Sequence, residues 1–201
     1  MKNQQTLKMV QTAILLAIIL LMFYTPLGYL KIGPLSITLL SIPVGIGAML
    51  IGPGAGAFLG LAFGLTSCSQ GFTGQSALGV ALIQISPIYY IINTVGARVL
   101  MGWLCGVLFK AVKKVDKTKT VCFFVGGFLS AFLNTVFFMG CLILFFWNSD
   151  VIQGFNQALG NLSPLPFVFA FVGVNGALEW PAACIIGGIV SKAVTKALPN
   201  S

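Results

Sequence analysis

Charged side chains make up only 7% of this 201-residue chain, and they are gathered into short clusters between long apolar runs. With 58% hydrophobic residues and a mean hydropathy of +1.02, the chain cannot cover a water-soluble globule with polar surface. The bilayer must therefore be its solvent. Each hydrocarbon-spanning helix takes about 20 residues, so the length holds roughly six spans with their loops and leaves no soluble domain. The expected fold is an all-α membrane protein forming one domain over residues 1–201.

Eleven Lys and Arg stand against three Asp and Glu, and the placement of that excess sets the orientation. Lys2 and Lys8 precede the first apolar run, Lys110, Lys113, Lys114, Lys117 and Lys119 cluster mid-chain, and Lys192 and Lys196 lie near the end. By the positive-inside rule all three clusters, and with them both termini, are expected in the cytoplasm, leaving only Lys31 outside. The lysines flank apolar spans and lack interleaved aromatics, which argues against nucleic acid as a partner. The first apolar run closes at Thr25-Pro26 without a small-residue cleavage site, so it is expected to be retained. Five cysteines form no C-x-x-C pair and there is no His, so neither a metal site nor a cofactor is expected.

Apolar periods and breakers predict helices over Met9–Tyr24, Ile37–Ile51, Ala55–Ser67, Ile91–Val112, Thr120–Phe146 and Pro166–Leu198. Leu27–Ser36 is expected as an extended or turning outer loop. Cys68–Tyr90 is uncharged but rich in Ser, Gln, Gly and Thr, and is expected as a long outer loop, partly re-entrant. An irregular backbone at membrane depth must line a protein-walled cavity, so Gln70 and Gly74 in this loop join the candidate ligand contacts. Trp147–Leu165 is expected as a second outer loop. Tyr89, Tyr90, Trp147 and Trp180 are expected as interfacial anchors or packing. No internal repeat of the kind found in many secondary transporters is visible.

Gly56, Gly60 and Gly64 recur every four residues, a bare stripe suited to close helix packing, with Gly102 and Gly106 a smaller example on Arg98's own stripe. Arg98 is the chain's single Arg and falls at membrane depth, where a guanidinium needs a partner. It can bind an anionic ligand with its planar fork, pair with Glu179, or reach toward the outer surface. Asn134 and Asn175 fall within reach of the same level and need partners of their own, either helix neighbours or a ligand. Gln70 and Asn93 are weaker candidates. Without His, paired carboxylates or metal-ligand clusters, catalysis is not expected, and no phosphate-binding loop is present.

Several stretches carry a family resemblance over nearly the whole chain: Ala13-Ile14-Leu15-Leu16-Ala17, the turn Gly52-Pro53-Gly54-Ala55-Gly56-Ala57-Phe58-Leu59-Gly60, Ile32-Gly33-Pro34-Leu35-Ser36-Ile37-Thr38, Ile42-Pro43-Val44, and Leu59 through Ser67. The chain resembles the substrate-binding S components of energy-coupling factor (ECF) vitamin transporters, and within them the pantothenate branch. The resemblance implies a multi-pass protein of the bacterial cell membrane that binds a vitamin for an ATP-driven importer. It also implies partners, a transmembrane T subunit and two ATPase subunits, with Ala13 and Ala17 as the stripe that docks on the T subunit. Arg98 and Asn134 fall where that branch has polar ligand contacts, suiting a pantothenate-like anion. The alternatives are an S component for riboflavin or another vitamin, and a non-transport membrane scaffold whose buried polar groups serve packing.

Overall fold

The computed structural model describes residues 2–26, 28–32 and 35–197. Helix α1 spans Lys2–Phe23, beginning earlier than the apolar run alone suggests. A short antiparallel hairpin follows, β1 (Tyr29–Ile32) and β2 (Leu35–Thr38), in register Tyr29↔Thr38. The expected extended or turning loop is thus paired as a short hairpin within an otherwise all-helical chain, although Leu27, Gly33 and Pro34 lie outside the described residues. Helix α2 (Ser41–Leu50) starts four positions later than expected because β2 takes the intervening residues. Its first nine residues are buried, so it touches little lipid.

Helix α3 covers Pro53–Phe72, with Pro53 in its first turn, where the missing N–H costs nothing. It ends in a turn through Gly74, whose φ of +76° suits a residue without Cβ. Ser76 then caps α4 (Ala77–Ile85) by accepting from the Gly79 amide at 3.1 Å. Helix α5 runs over Pro87–Val115, capped by Ser86, with a π-helical stretch at Ile92–Gly96. The segment Cys68–Tyr90 is therefore largely helical and not an irregular loop. It is the end of α3, all of α4 and the start of α5; Gln70 is buried with Cys68, Gly71, Leu78, Gly79 and Leu82, while Thr73, Gln75 and Gln84 are exposed.

Helix α6 spans Val121–Phe146. The expected second outer loop holds a further helix, α7 (Asp150–Ala158), capped by Ser149. Helix α8 occupies 164–197, with a π-helical stretch at Ala183–Gly187; Leu198, its expected end, lies outside the described residues. Among the described residues four stretches are long and apolar enough to cross a membrane: Gln4–Phe23, Pro87–Val115, Val121–Phe146 and Asn175–Ala197. This is the architecture of a helical membrane protein.

The tightest pairing is α3 on α5. The α-carbons of Gly56, Gly60 and Gly64 lie directly on the backbone of Gly102, Arg98 and Val95 respectively, so the glycine stripe is a packing device that brings α3 against the turn bearing Arg98. Of three apolar clusters among the described residues, two are large. One gathers Leu15, Ile19, Leu40, Val44, Leu59, Phe63 and Met101; the other gathers Leu78, Leu82, Tyr90, Met139, Leu142, Phe146 and Phe167. A polar cavity opens beside both of them.

Candidate functional site

Six elements line the cavity, α4 through Leu78, Gly79 and Leu82, and the polar side chains come largely from the other five. Tyr90, Thr94 and Arg98 recur every four residues on α5, and Asn134 and Phe138 do so on α6. Asn175 and Glu179 do the same on α8, α3 adds Ser67 and Gln70, and the hairpin adds Tyr29 and Thr38. Residues three or four apart share a helix face, so each helix turns one narrow polar face inward. The cavity holds about 90 Å³ of water-accessible space, enough for about six to nine waters or one small ligand.

Arg98 is 4% exposed. Its Nη1 donates to the Asn93 carbonyl at 3.1 Å, and its guanidinium lies 5.2 Å from the Phe63 ring centroid and 4.6 Å from that of Phe138. The π-helical stretch contributes to this contact. The Ala97 amide bonds to the Ile92 carbonyl instead of the Asn93 carbonyl that an α-helix would use, which frees Asn93's oxygen from its usual donor. Arg98 Nε has no hydrogen-bond partner. No carboxylate lies within 4.0 Å of the guanidinium among the described residues, so the expected alternative of a direct Arg98–Glu179 ion pair is not what the structure holds. Glu179 instead accepts from the Thr38 backbone amide at 2.6 Å, tying the hairpin to α8.

The remaining sequence candidates divide. Asn134, Asn175 and Gln70 are buried and line the cavity with Arg98. Asn134 Oδ1 and Thr38 Oγ1 are enclosed without partners, and an unpaired buried polar atom costs about 1–3 kcal/mol, so these atoms call for a ligand or water. Asn93 lies behind Arg98, fully buried, with neither side-chain atom paired. Gly74 is exposed in the α3–α4 turn and is not among the residues that line the cavity, although Ser76 two positions on is. Tyr90, expected as an interfacial anchor or as packing, is buried and donates to the Ser67 carbonyl at 3.1 Å. Trp180 packs on Phe128 and Phe132 and donates to Thr135 Oγ1 at 3.3 Å. Sequence reasoning passed over Tyr29, Thr38, Ser67 and Thr94; the four-residue ladder Tyr90, Thr94, Arg98 was the available signal for the last of these.

Ala13 and Ala17 are exposed on one side of α1, beside exposed Val10, Ile14, Ile18 and Leu21. No cluster of three metal-ligating side chains occurs among the described residues. The cavity thus offers one cation, amides, hydroxyls and one carboxylate, a set suited to holding a small polar anion and not to breaking bonds.

Residues 7–191 match the family described as ECF transporter, substrate-specific component. The chain is also 30% identical over 201 aligned residues to the pantothenate transporter PanT of Leuconostoc mesenteroides subsp. mesenteroides, covering 94% of this chain and 90% of that relative.

Proposed function

The chain belongs to the family of ECF transporter substrate-specific components, and from that premise we infer that it captures pantothenate for import by an ECF module. A member of this family is a multi-pass transport protein of the cell membrane and not an enzyme. The observation that carries the substrate reading is the lone guanidinium of Arg98, which lines a small cavity together with the amides of Gln70, Asn134 and Asn175. A carboxylate completes that fork, and the ligand's hydroxyls and amide meet the neutral groups. The relative described as a pantothenate transporter supports the same choice.

In this reading the chain is a single domain that crosses the membrane six times with both termini in the cytoplasm. The four long apolar stretches are joined by α3, whose 20 residues reach about 30 Å, and by the short α2. Burial of α2 by protein on nearly all sides lets it stop short of the full thickness. The lysine clusters favour this orientation. The energy comes from two ATPase subunits acting through a T subunit docked on α1. Calorimetric titration of the detergent-purified protein with pantothenate, its carboxamide analogue and riboflavin tests the substrate. Tight binding of pantothenate alone is the expected result. Equal binding of the carboxamide would remove the anion from the reading, and preference for riboflavin would replace the substrate.

A further inference from the structure

We propose that Glu179 is the specificity-determining residue of the cavity. It accepts a hydrogen bond from a neutral hydroxyl or amide N–H of the ligand and excludes ligands that bring a second negative charge. This inference rests on the reading of the cavity as a site for a pantothenate-like anion, and it deepens that reading by naming what the rest of the ligand must be.

Among the described side chains that line the cavity, Arg98 is the single cation and Glu179 the single carboxylate, yet no contact of 4.0 Å or less joins them. Opposite charges at low dielectric attract strongly, so their separation needs restraints. The structure supplies one for each. Arg98 is held by the Asn93 carbonyl and between two phenylalanine rings, while Glu179 is held through Oε1 by the Thr38 amide.

Among the described residues the second oxygen, Oε2, receives no hydrogen bond. It is also not among the sealed, unpaired polar atoms, so it is open to the cavity. Glu179 is 5% exposed, which leaves the cavity's occupant as its partner. The cavity is therefore bipolar. A ligand that sets its carboxylate on Arg98 must present donors to Glu179. Pantothenate's hydroxyls and amide N–H are such donors. A phosphate or second carboxylate would meet Glu179 as a like charge with little water to screen it. A site built to bond a hydroxyl also discriminates strongly against analogues that lack it.

The simpler role for Glu179 is to fasten the hairpin through Thr38. Glu179→Gln separates the roles, since the amide oxygen still accepts from the Thr38 N–H while the charge is gone. Wild-type and variant protein are titrated with pantothenate, 4′-phosphopantothenate and a pantothenate analogue lacking its hydroxyls. Wild type should bind pantothenate at least about tenfold more tightly than either other ligand, and Glu179→Gln should narrow the gap to the phosphate at least about tenfold. If the variant keeps the wild-type selectivity, Glu179 is only a fastener and the proposal is overturned. Should the variant fail to fold, wild type alone decides: equal affinity for the phosphorylated or dehydroxylated ligand overturns the proposal, and discrimination against both supports it. Absence of pantothenate binding by wild type overturns the substrate reading itself and this proposal with it, a result distinct from binding without the expected selectivity.

Discussion

Gly60 on α3 sets its bare α-carbon against the carbonyl group of Arg98 on α5, and a Cβ there would stand 2.9 Å from the Arg98 carbonyl carbon. Backbone is on the other side of the contact, so no rotamer change can relieve it. The glycine stripe thus reaches function through packing, because the distance between α3 and α5 sets where Arg98 meets the cavity.

Gly60→Ala should therefore push the two helices apart and destabilise the protein by about 1–3 kcal/mol, the usual cost of overpacking. Displacement of Arg98 should weaken pantothenate binding by at least tenfold, about 1.4 kcal/mol. Gly140 has nothing within 4 Å of the same added atom, so Gly140→Ala is the control and should change neither quantity. Melting temperature in detergent and calorimetric affinity measure both effects, and a Gly60→Ala protein indistinguishable from the control would refute the coupling.

Arg98 itself gives the second prediction. Truncating one member of a buried, hydrogen-bonded charge pair costs about 2–5 kcal/mol of binding, so Arg98→Ala should lose that much affinity for pantothenate. Arg98→Lys should recover part of it, since an ammonium keeps the charge but loses the planar fork. The carboxamide analogue should bind wild type and Arg98→Ala about equally. A well-folded Arg98→Ala protein with full affinity would rule out the anion site.

The sequence made some of this legible, for physical reasons that differ from residue to residue. Lipid demands apolar runs, so the long helices announce themselves, and the glycines at 56, 60 and 64 declare a close-packed face. The run from Cys68 to Tyr90 misled because small polar residues read as loop in a lipid-facing frame, whereas Gln70 and Gly71 face protein. The hairpin was hidden because its strands are four residues each, too short for a pattern of alternation to emerge. The π-helical stretch behind Arg98 has no compositional mark. Glu179 was visible as the acid within a membrane helix, but its partner is a backbone amide 141 positions away.

The loop between α5 and α6 supplies a prediction outside the membrane. Asp116 accepts from the Cys122 amide at 2.8 Å, from the Thr118 hydroxyl and amide at 2.7 and 2.9 Å, and from the Thr120 amide at 3.0 Å. These donors, the Cys122 amide foremost, hold its carboxyl well below the ordinary carboxylate range. A depressed pKa means that the stabilisation is complete above the unfolded value, about 3.9, and is lost as pH falls through the lower folded value. The gap in melting temperature between wild type and Asp116→Asn should accordingly be constant from neutral pH to about pH 5 and shrink below about pH 4. A gap that stays constant into acid would show that the carboxylate's charge has no part in holding the turn.

The final prediction concerns the outer face of α1, where the sequence-level docking stripe meets the observed surface. Only 11% of this helix's most apolar window is buried within the chain, so α1 shows most of its surface to whatever surrounds the protein. Ala13 and Ala17 lie one turn apart on that surface, and their small side chains form a shallow track flanked by Val10, Ile14, Ile18 and Leu21. Between membrane helices, association depends on close backbone approach, which small residues four apart permit and large ones prevent. Replacing both alanines with Trp should therefore abolish co-purification with the T and ATPase subunits. The cavity draws no residue from α1, so pantothenate affinity of the isolated double variant should remain within about twofold of wild type, roughly 0.4 kcal/mol. Loss of ligand binding alongside loss of assembly would point to misfolding, and a single Ala17→Leu variant of unchanged melting temperature then decides the matter. Full co-purification of either well-folded variant would remove the docking role from this face.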